Sequence, residues 1–251
     1  MTLILERAIK ERIEEAAAGL ISVRADGDRA RISLPLLYPS GSGSAVEVMV
    51  NGENCFVSDF GFGAMEAEMY GAEPFYEKSA KKAADRFGVG FDGMSIFKTW
   101  ASLGRLDAAV VAVANASVQA ASAAIMSASE EKERRDNAAL YERVREFFSD
   151  RAVAKHEELG GRDAKWQAQN VVTLPSHRKA VFELVNAHPN SIASKYIMFA
   201  DLSRVEDAYS LNSVVKSIPH IGSKGAMLAD VSHLVELDSP KETYLRFAEA
   251  A

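Results

Sequence analysis

Residues 105–159 read RLDAAVVAVANASVQAASAAIMSASEEKERRDNAALYERVREFFSDRAVAKHEEL, 55 consecutive positions without glycine or proline, bracketed by Gly104 and Gly160-Gly161. Glycine and proline are the residues a helix interior tolerates least, so this uninterrupted run of Ala, Glu, Arg, Val and Leu predicts helix. A single straight helix of that length would reach about 80 Å. Globular helices are usually far shorter, which predicts a break, giving a helical hairpin. The expected place is Ser127–Asn137, the most polar part of the run.

Within the first half, Leu106, Val110, Val113, Ser117, Ala120 and Ala124 recur four and three positions apart, the spacing of closely approaching helices. The second half sets Leu140, Val144 and Phe147 on one stripe beside Glu142, Arg143 and Glu146. Two readings follow. The helices pack on their own domain, or residues 106–148 form an arm that meets a second copy of the chain or another protein.

Residues 108–129 carry no charge, a length sufficient to span a bilayer. Their content is mostly Ala and Ser, with Asn115 and Gln119 in the middle, and amides are costly in hydrocarbon. The expectation is a packed helix of a soluble protein with no membrane partner. The start, Met1-Thr2-Leu3-Ile4-Leu5, meets Glu6 and Arg7 too soon for a signal peptide.

Outward from the centre the pattern changes on both sides. On the N-terminal side, Leu5, Ile9, Ile13 and Ala16 predict an amphipathic helix over Thr2–Ala18, stopped by Gly19. Strand-like pieces follow at 20–24, 30–37, 46–50 and 55–58, with Asn51-Gly52 as a hairpin turn. Helices are expected at 64–70 and 76–87, and another strand at 94–100. After Gly161, strand character at 166–174, 196–199 and 227–237 alternates with expected helices at 176–187, 203–216 and 239–248. Ser176, Ser203 and Ser239 serve as helix N-caps in that reading. The predicted fold is α+β: an N-terminal antiparallel sheet with helices over 1–100, a helical connector over 101–160, and a small C-terminal α/β domain over 161–251.

The 251 residues are 48% hydrophobic and 25% charged, with a net charge of −6, the balance of a globular protein. The single cysteine, Cys55, admits no internal disulfide and fits a cytoplasmic location. With five scattered histidines it also forms no zinc motif. Basic and acidic residues number 11 and 15 over 1–100, 6 and 8 over 101–150, and 12 and 12 over 151–251, so no segment is net positive. That balance does not favour nucleic acid as a partner.

The most pointed chemistry lies in Val57-Ser58-Asp59-Phe60-Gly61-Phe62-Gly63. An acid at a strand end, followed by glycines and a helix, can present a carboxylate and free N–H groups to a ligand. Equally, Asp59 can cap the turn it belongs to. Asp59, Gly61, Gly63 and Glu66 are therefore candidate binding residues. Asp-Phe-Gly matches the magnesium motif of protein kinases, but the Gly-rich loop and His-Arg-Asp loop of kinases are missing. A metal-dependent hydrolase such as a nuclease would have to combine Asp59 with Asp28 and Glu47, with magnesium as cofactor. The acid–x–Lys spacing of restriction-like nucleases is absent, since Asn54 and Cys55 follow Glu53. In the C-terminal part, His177, Arg178 and Lys179 fall at a predicted helix start, where cations oppose the helix dipole; that placement fits an anion site or a solvated turn. His220-Ile221-Gly222-Ser223-Lys224-Gly225 lacks phosphate-loop spacing.

Arg31-Ile32-Ser33-Leu34-Pro35-Leu36, Val46-Glu47-Val48-Met49-Val50 and Phe56-Val57-Ser58-Asp59-Phe60-Gly61 together resemble the bacterial domain-of-unknown-function family eighteen twenty-eight. The likeness covers residues 20–71. A second stretch, 165–250, is similar to the family's usual C-terminal partner, family eighteen twenty-nine, and the insert 101–160 falls outside both. At Asp59 the chain departs from the family, which carries a longer acidic turn. The resemblance implies a phage or mobile-element accessory protein acting in defence, counter-defence or toxin control, and it supplies no catalytic residue. The leading expectation is a non-enzymatic protein that binds another macromolecule, with no cofactor; a metal-dependent hydrolase is the alternative.

Overall fold

The computed structural model describes residues 2–206 and 208–250; the side chains of residues 2–8 and of His220 lie outside that description, and with them the expectations placed on Leu5 and His220. The fold is α+β and divides into two compact units, one up to Glu131 and the other from Lys132.

In the first unit, helix α1 (Thr2–Ala18) precedes strands β1 (Ser22–Asp26), β2 (Arg29–Leu37), β3 (Gly43–Asn51) and β4 (Asn54–Ser58). Helices α2 (Phe62–Met69) and α3 (Glu73–Phe87) follow, then β5 (Gly90–Phe91) and β6 (Phe97–Ser102). The sheet is antiparallel in the order β1-β2-β3-β4-β6-β5. Alternation along each strand sends Leu34, Val46, Val48, Cys55, Val57 and Phe97 to one face. There they form one core with Tyr76, Ala80 and Ala83 of α3. The β3–β4 hairpin differs by one residue from its expected turn: Asn51 pairs with Asn54, so Gly52-Glu53 is the loop, with Gly52 at φ 61°.

Helix α4 (Leu106–Phe147) is unbroken for 42 residues, which overturns the expected hairpin at Ser127–Asn137. Polarity there was a sign of solvation rather than of chain reversal. Every residue in that stretch is compatible with helix, and Glu130/Arg134 and Glu131/Arg135 stand four apart in the acid-first order that stabilises helices. The boundary between the units falls inside this polar stretch, so 101–160 is no separate connector. The stripe read as a candidate self-association seam is already covered within the first unit: Val110, Val113, Ser117, Ala120 and Ala124 are buried, and Leu106 packs beside them. Small side chains at those positions let the helix approach its own core closely. Among the described residues α4 is the one helix long and apolar enough to cross a membrane, and half of its apolar window is buried inside the protein, as in a packed helix of a soluble protein.

The second unit holds the end of α4, then β7 (Val153–Gly160), β8 (Lys165–Thr173), β9 (Lys179–Leu184), α5 (Pro189–Leu202) and β10 (Tyr209–Val215). Short helices α6 (Ile218–Ile221) and α7 (Lys224–Ala229), β11 (His233–Glu236) and α8 (Lys241–Glu249) complete it. Its sheet runs β11-β10-β9-β8-β7, with β7–β8 and β8–β9 antiparallel and β9–β10 and β10–β11 parallel. One face carries Ala180, Phe182 and Val214 against Leu140, Val144 and Phe148 and against Tyr244 of α8. The other carries Val171 and Val181 against Met198, Phe199 and Leu202 of α5.

Several sequence expectations in this unit are corrected. The helix expected at 176–187 contains β9, the strand expected at 196–199 lies within α5, and the helix expected at 203–216 contains β10. Strand character at 227–237 resolves into the end of α7 and β11. Strands covered on both faces carry no clean alternation, which is why Ala180–Leu184 and Leu211–Val215 resembled helix segments. Nor do the serines cap: Ser203 ends α5, and Pro240, not Ser239, precedes α8.

Candidate functional site

Asp59 follows the last residue of β4 and is fully buried. Its Oδ1 accepts the backbone N–H of Phe97 at 2.8 Å and of Gly61 at 3.2 Å. Its Oδ2 accepts the Ser117 hydroxyl at 2.6 Å and, more weakly, the Gly63 N–H at 3.4 Å. Ser117 gives its only proton to Asp59, so Tyr38 is the donor in the 2.7 Å bond between Tyr38 Oη and Ser117 Oγ. One carboxylate thus fastens the end of β4, the entry to α2, the start of β6 and the first third of α4. Burial pushes its carboxyl above the ordinary range, opposed by the hydrogen bonds from Ser117, Phe97, Gly61 and Gly63. Burial likewise pushes Tyr38 up to about 12, with Asp59 and Glu66 adding to the rise against the Ser117 bond.

The glycines serve this latch. Gly61 lies at φ 78°, in the left-handed region. A Cβ on Gly63 would fall 2.6 Å from Ser117 Oγ and 2.9 Å from the Ser117 carbonyl oxygen. Glu66, also buried, accepts from Ser40 N at 2.8 Å and Ser40 Oγ at 3.0 Å, which pins the loop between β2 and β3. The turn reading of Asp59 therefore describes the geometry, and the N–H groups expected to meet a ligand meet Asp59 itself.

Asp28 and Glu47 do not join Asp59. The Asp28 carbonyl accepts from Val50 N, whereas Asp59 adjoins Ser58, which pairs with Glu47 three residues away along β3. Three residues of strand are about 10 Å. Glu47 also stands on the face opposite Val46 and Val48, away from the core. Among the described residues no three His, Cys, Asp or Glu side chains converge as a metal would require.

His177, Arg178 and Lys179 do not open a helix. His177 sits at φ 65° in the turn between β8 and β9, and Lys179 is the first residue of β9. They line a cavity of about 250 Å³ with Ala208 and Tyr209. Two of the cations are engaged within the chain, Lys179 with Glu157 at 2.6 Å and Arg178 with the Ala250 carbonyl at 3.2 Å.

Three features escaped sequence reasoning. In the second unit Lys195 of α5 lies 2.5 Å from Glu183 of β9, which is fully buried and also accepts the Gln169 N–H. The residue opposite Glu183 on β10 is Ser213, so this pair has no carboxylate as its cross-strand neighbour there. Asp201 accepts Trp166 Nε1 at 2.7 Å and the N–H groups of Asp163 and Ala164, closing the β7–β8 turn. The Trp166 bond is the chief cause that holds its carboxyl below the usual range.

The third feature is the open face of the first sheet. Register sets Arg24, Arg31, Glu47, Ser58 and Lys98 in one row across β1, β2, β3, β4 and β6. The next row is Asp26, Arg29, Met49, Phe56 and Trp100. Trp100 is 65% exposed, and its ring lies 5.1 Å from that of Phe56. Arg31 rests 4.8 Å from the centre of the Phe62 ring. The sequence hid this because Cys55, Phe56 and Val57 are all apolar and give no inside-outside contrast. Pairing of Phe56 with Trp100 also spans 44 residues.

Fold and geometry define a two-unit α+β protein with an aromatic and basic sheet face and with Asp59, Glu66, Glu183 and Asp201 committed inside the fold. No protein-family model, no curated protein and no solved structure matches the chain.

Proposed function

We propose that this chain is a non-enzymatic binding protein that acts on another macromolecule through the open face of its first sheet. The observation that carries the reading is Trp100 beside Phe56, a large aromatic surface left in water with no part in the core. Exposed aromatic side chains of this kind are enriched where proteins meet partners. The carboxylates that would have served a hydrolase are occupied or apart: Asp59 is consumed by the fold, and Asp28 and Glu47 stand elsewhere on the sheet. Self-association through the 106–124 stripe is not retained, since that stripe faces the first unit's own core.

A cytoplasmic setting accords with the single, buried Cys55. The likeness to families eighteen twenty-eight and eighteen twenty-nine is the ground for proposing a phage or mobile-element accessory role in defence, counter-defence or toxin control.

The test is affinity capture from the native host with wild type and Trp100→Ala, analysing bound protein and bound nucleic acid alike. A macromolecule held by wild type and lost with the variant, at unchanged thermal midpoint, supports the reading. Identical capture by both, or none by either, overturns it.

A further inference from the structure

We propose that the macromolecule bound on this face is single-stranded nucleic acid; the inference rests on reading the face as a binding surface. Linear charge counts pointed away from such a partner, but the sheet redistributes the charges. Four cations, Arg24, Arg29, Arg31 and Lys98, share the two rows with two carboxylates, Asp26 and Glu47, on a chain whose net charge is −6. Asp92, in the turn before β6, draws on Lys98, so the clearest positive field is the arginine end. None of the four cations forms an ion pair among the described residues. Arg24 and Arg31 are also direct cross-strand neighbours, a like-charge pairing that destabilises a sheet, with Glu47 the carboxylate opposite Arg31 on β3.

On the same face, Trp100 and Phe56 offer ring faces within one residue pair of each other, and both stand on the solvent side of the strands. Aromatic rings on β4 and β6 of an open antiparallel sheet, with Lys98 on β6 and the arginines across β3 on β2 and β1, match the two demands of a single strand: unpaired bases to stack and phosphates to neutralise. A duplex keeps its base faces stacked internally and cannot use the rings. An acidic peptide would satisfy the arginines and leave the rings without a planar partner.

The experiment is fluorescence anisotropy of labelled single-stranded RNA, single-stranded DNA and duplex DNA of equal length, titrated with the full chain at low and moderate salt. Saturable binding to a single strand, RNA or DNA, with weaker duplex binding is expected. Trp100→Ala is expected to weaken it about 5- to 150-fold. Trp100→Phe should restore most of the affinity, and far-ultraviolet circular dichroism checks that both variants fold. Arg24→Ala and Arg31→Ala should each lower the log–log salt slope by about 0.7. Lack of single-strand binding at low salt, equal duplex affinity, or indifference to Trp100→Ala each overturns the inference. If nucleic acid fails to bind while host capture is still lost with Trp100→Ala, the binding face stands and only the nucleic-acid assignment falls. If neither measurement responds to Trp100→Ala, both fall.

Discussion

Ser117, in the first third of the long helix, donates its hydroxyl to Asp59 at 2.6 Å across 58 residues of sequence. This bond ties the helix to the strand end that carried the most suggestive motif, and it explains why that motif is architectural. Asp59→Ala would leave the Gly61 and Phe97 N–H groups and the Ser117 hydroxyl buried without their acceptor. Hydrogen bonds to a charged group contribute about 1.5–3 kcal/mol each and are not additive here, so the expected loss is about 3–5 kcal/mol. Ser117→Ala should cost less, about 1.5–3 kcal/mol. Urea unfolding of both variants measures the two losses; a loss below 1 kcal/mol for Asp59→Ala, on the order of a surface substitution, would contradict the latch.

The pH dependence of the same residue has a defined sign. Burial raises the Asp59 carboxyl above its ordinary range in the folded chain, so the native state holds this proton more tightly than the unfolded state. Its contribution to stability is fully present below the unfolded value and is lost as pH climbs through the raised native one. Asp92 acts oppositely. Desolvation pushes its carboxyl upward, but the N–H groups of Ile96, Met94 and Ser95 with Lys98 outweigh that and hold it low, so its contribution is lost as pH falls. Comparing wild type with Asp59→Asn isolates the first effect. Wild-type stability relative to the variant should decline from about pH 4 toward pH 7. A gap that widens with rising pH would sink the assignment.

Gly63 is held by packing. Its missing Cβ would meet Ser117 Oγ at 2.6 Å, Tyr76 Oη at 2.8 Å and the Ser117 carbonyl oxygen at 2.9 Å, and the last of these belongs to the backbone of a helix. Gly63→Ala should therefore cost about 1–3 kcal/mol through overpacking. Thermal unfolding beside Gly71→Ala, where nothing lies near the missing Cβ but φ is 64°, separates crowding from backbone strain. Comparable shifts in the two variants would remove the packing argument.

Lys195→Met would leave Glu183 buried and unpaired, at an expected cost of about 3–5 kcal/mol. In Glu183→Gln/Lys195→Met the charge is gone and an acceptor for Gln169 N survives, so most of the loss should be recovered. A double-mutant cycle by chemical denaturation measures the coupling. Additive effects would mean that the contact carries no energy.

Continuity of the central helix is open to a simple test. Lys132→Pro removes a helix hydrogen bond and clashes with the preceding turn, costing about 3 kcal/mol or more in an unbroken helix. In a hairpin loop the same change would be tolerated. Loss of ellipticity at the helical minimum and a lowered thermal midpoint are expected; an unchanged melt would argue for a chain reversal.

Local sequence was enough for helix over 106–147, because the absence of glycine and proline acts residue by residue, but the end of the same run, 153–159, expected to be helical, is strand β7. It was enough, too, for the N-terminal strands, whose alternation and turn glycines are written within a few positions of each other. Tertiary structure alone decided that 106–147 is one helix, since each half is held by a different core while the polar middle needs only solvent. It also decided that 179–184 and 209–215 are strands, because burial on both faces erases the periodicity that separates strand from helix. The roles of Asp59 and Trp100 were set in the same way, by neighbours from β6 and α4 tens of residues distant. Whether a side chain is consumed by the fold or left facing water depends on which strands and helices come to lie beside it, and short-range propensity does not encode that.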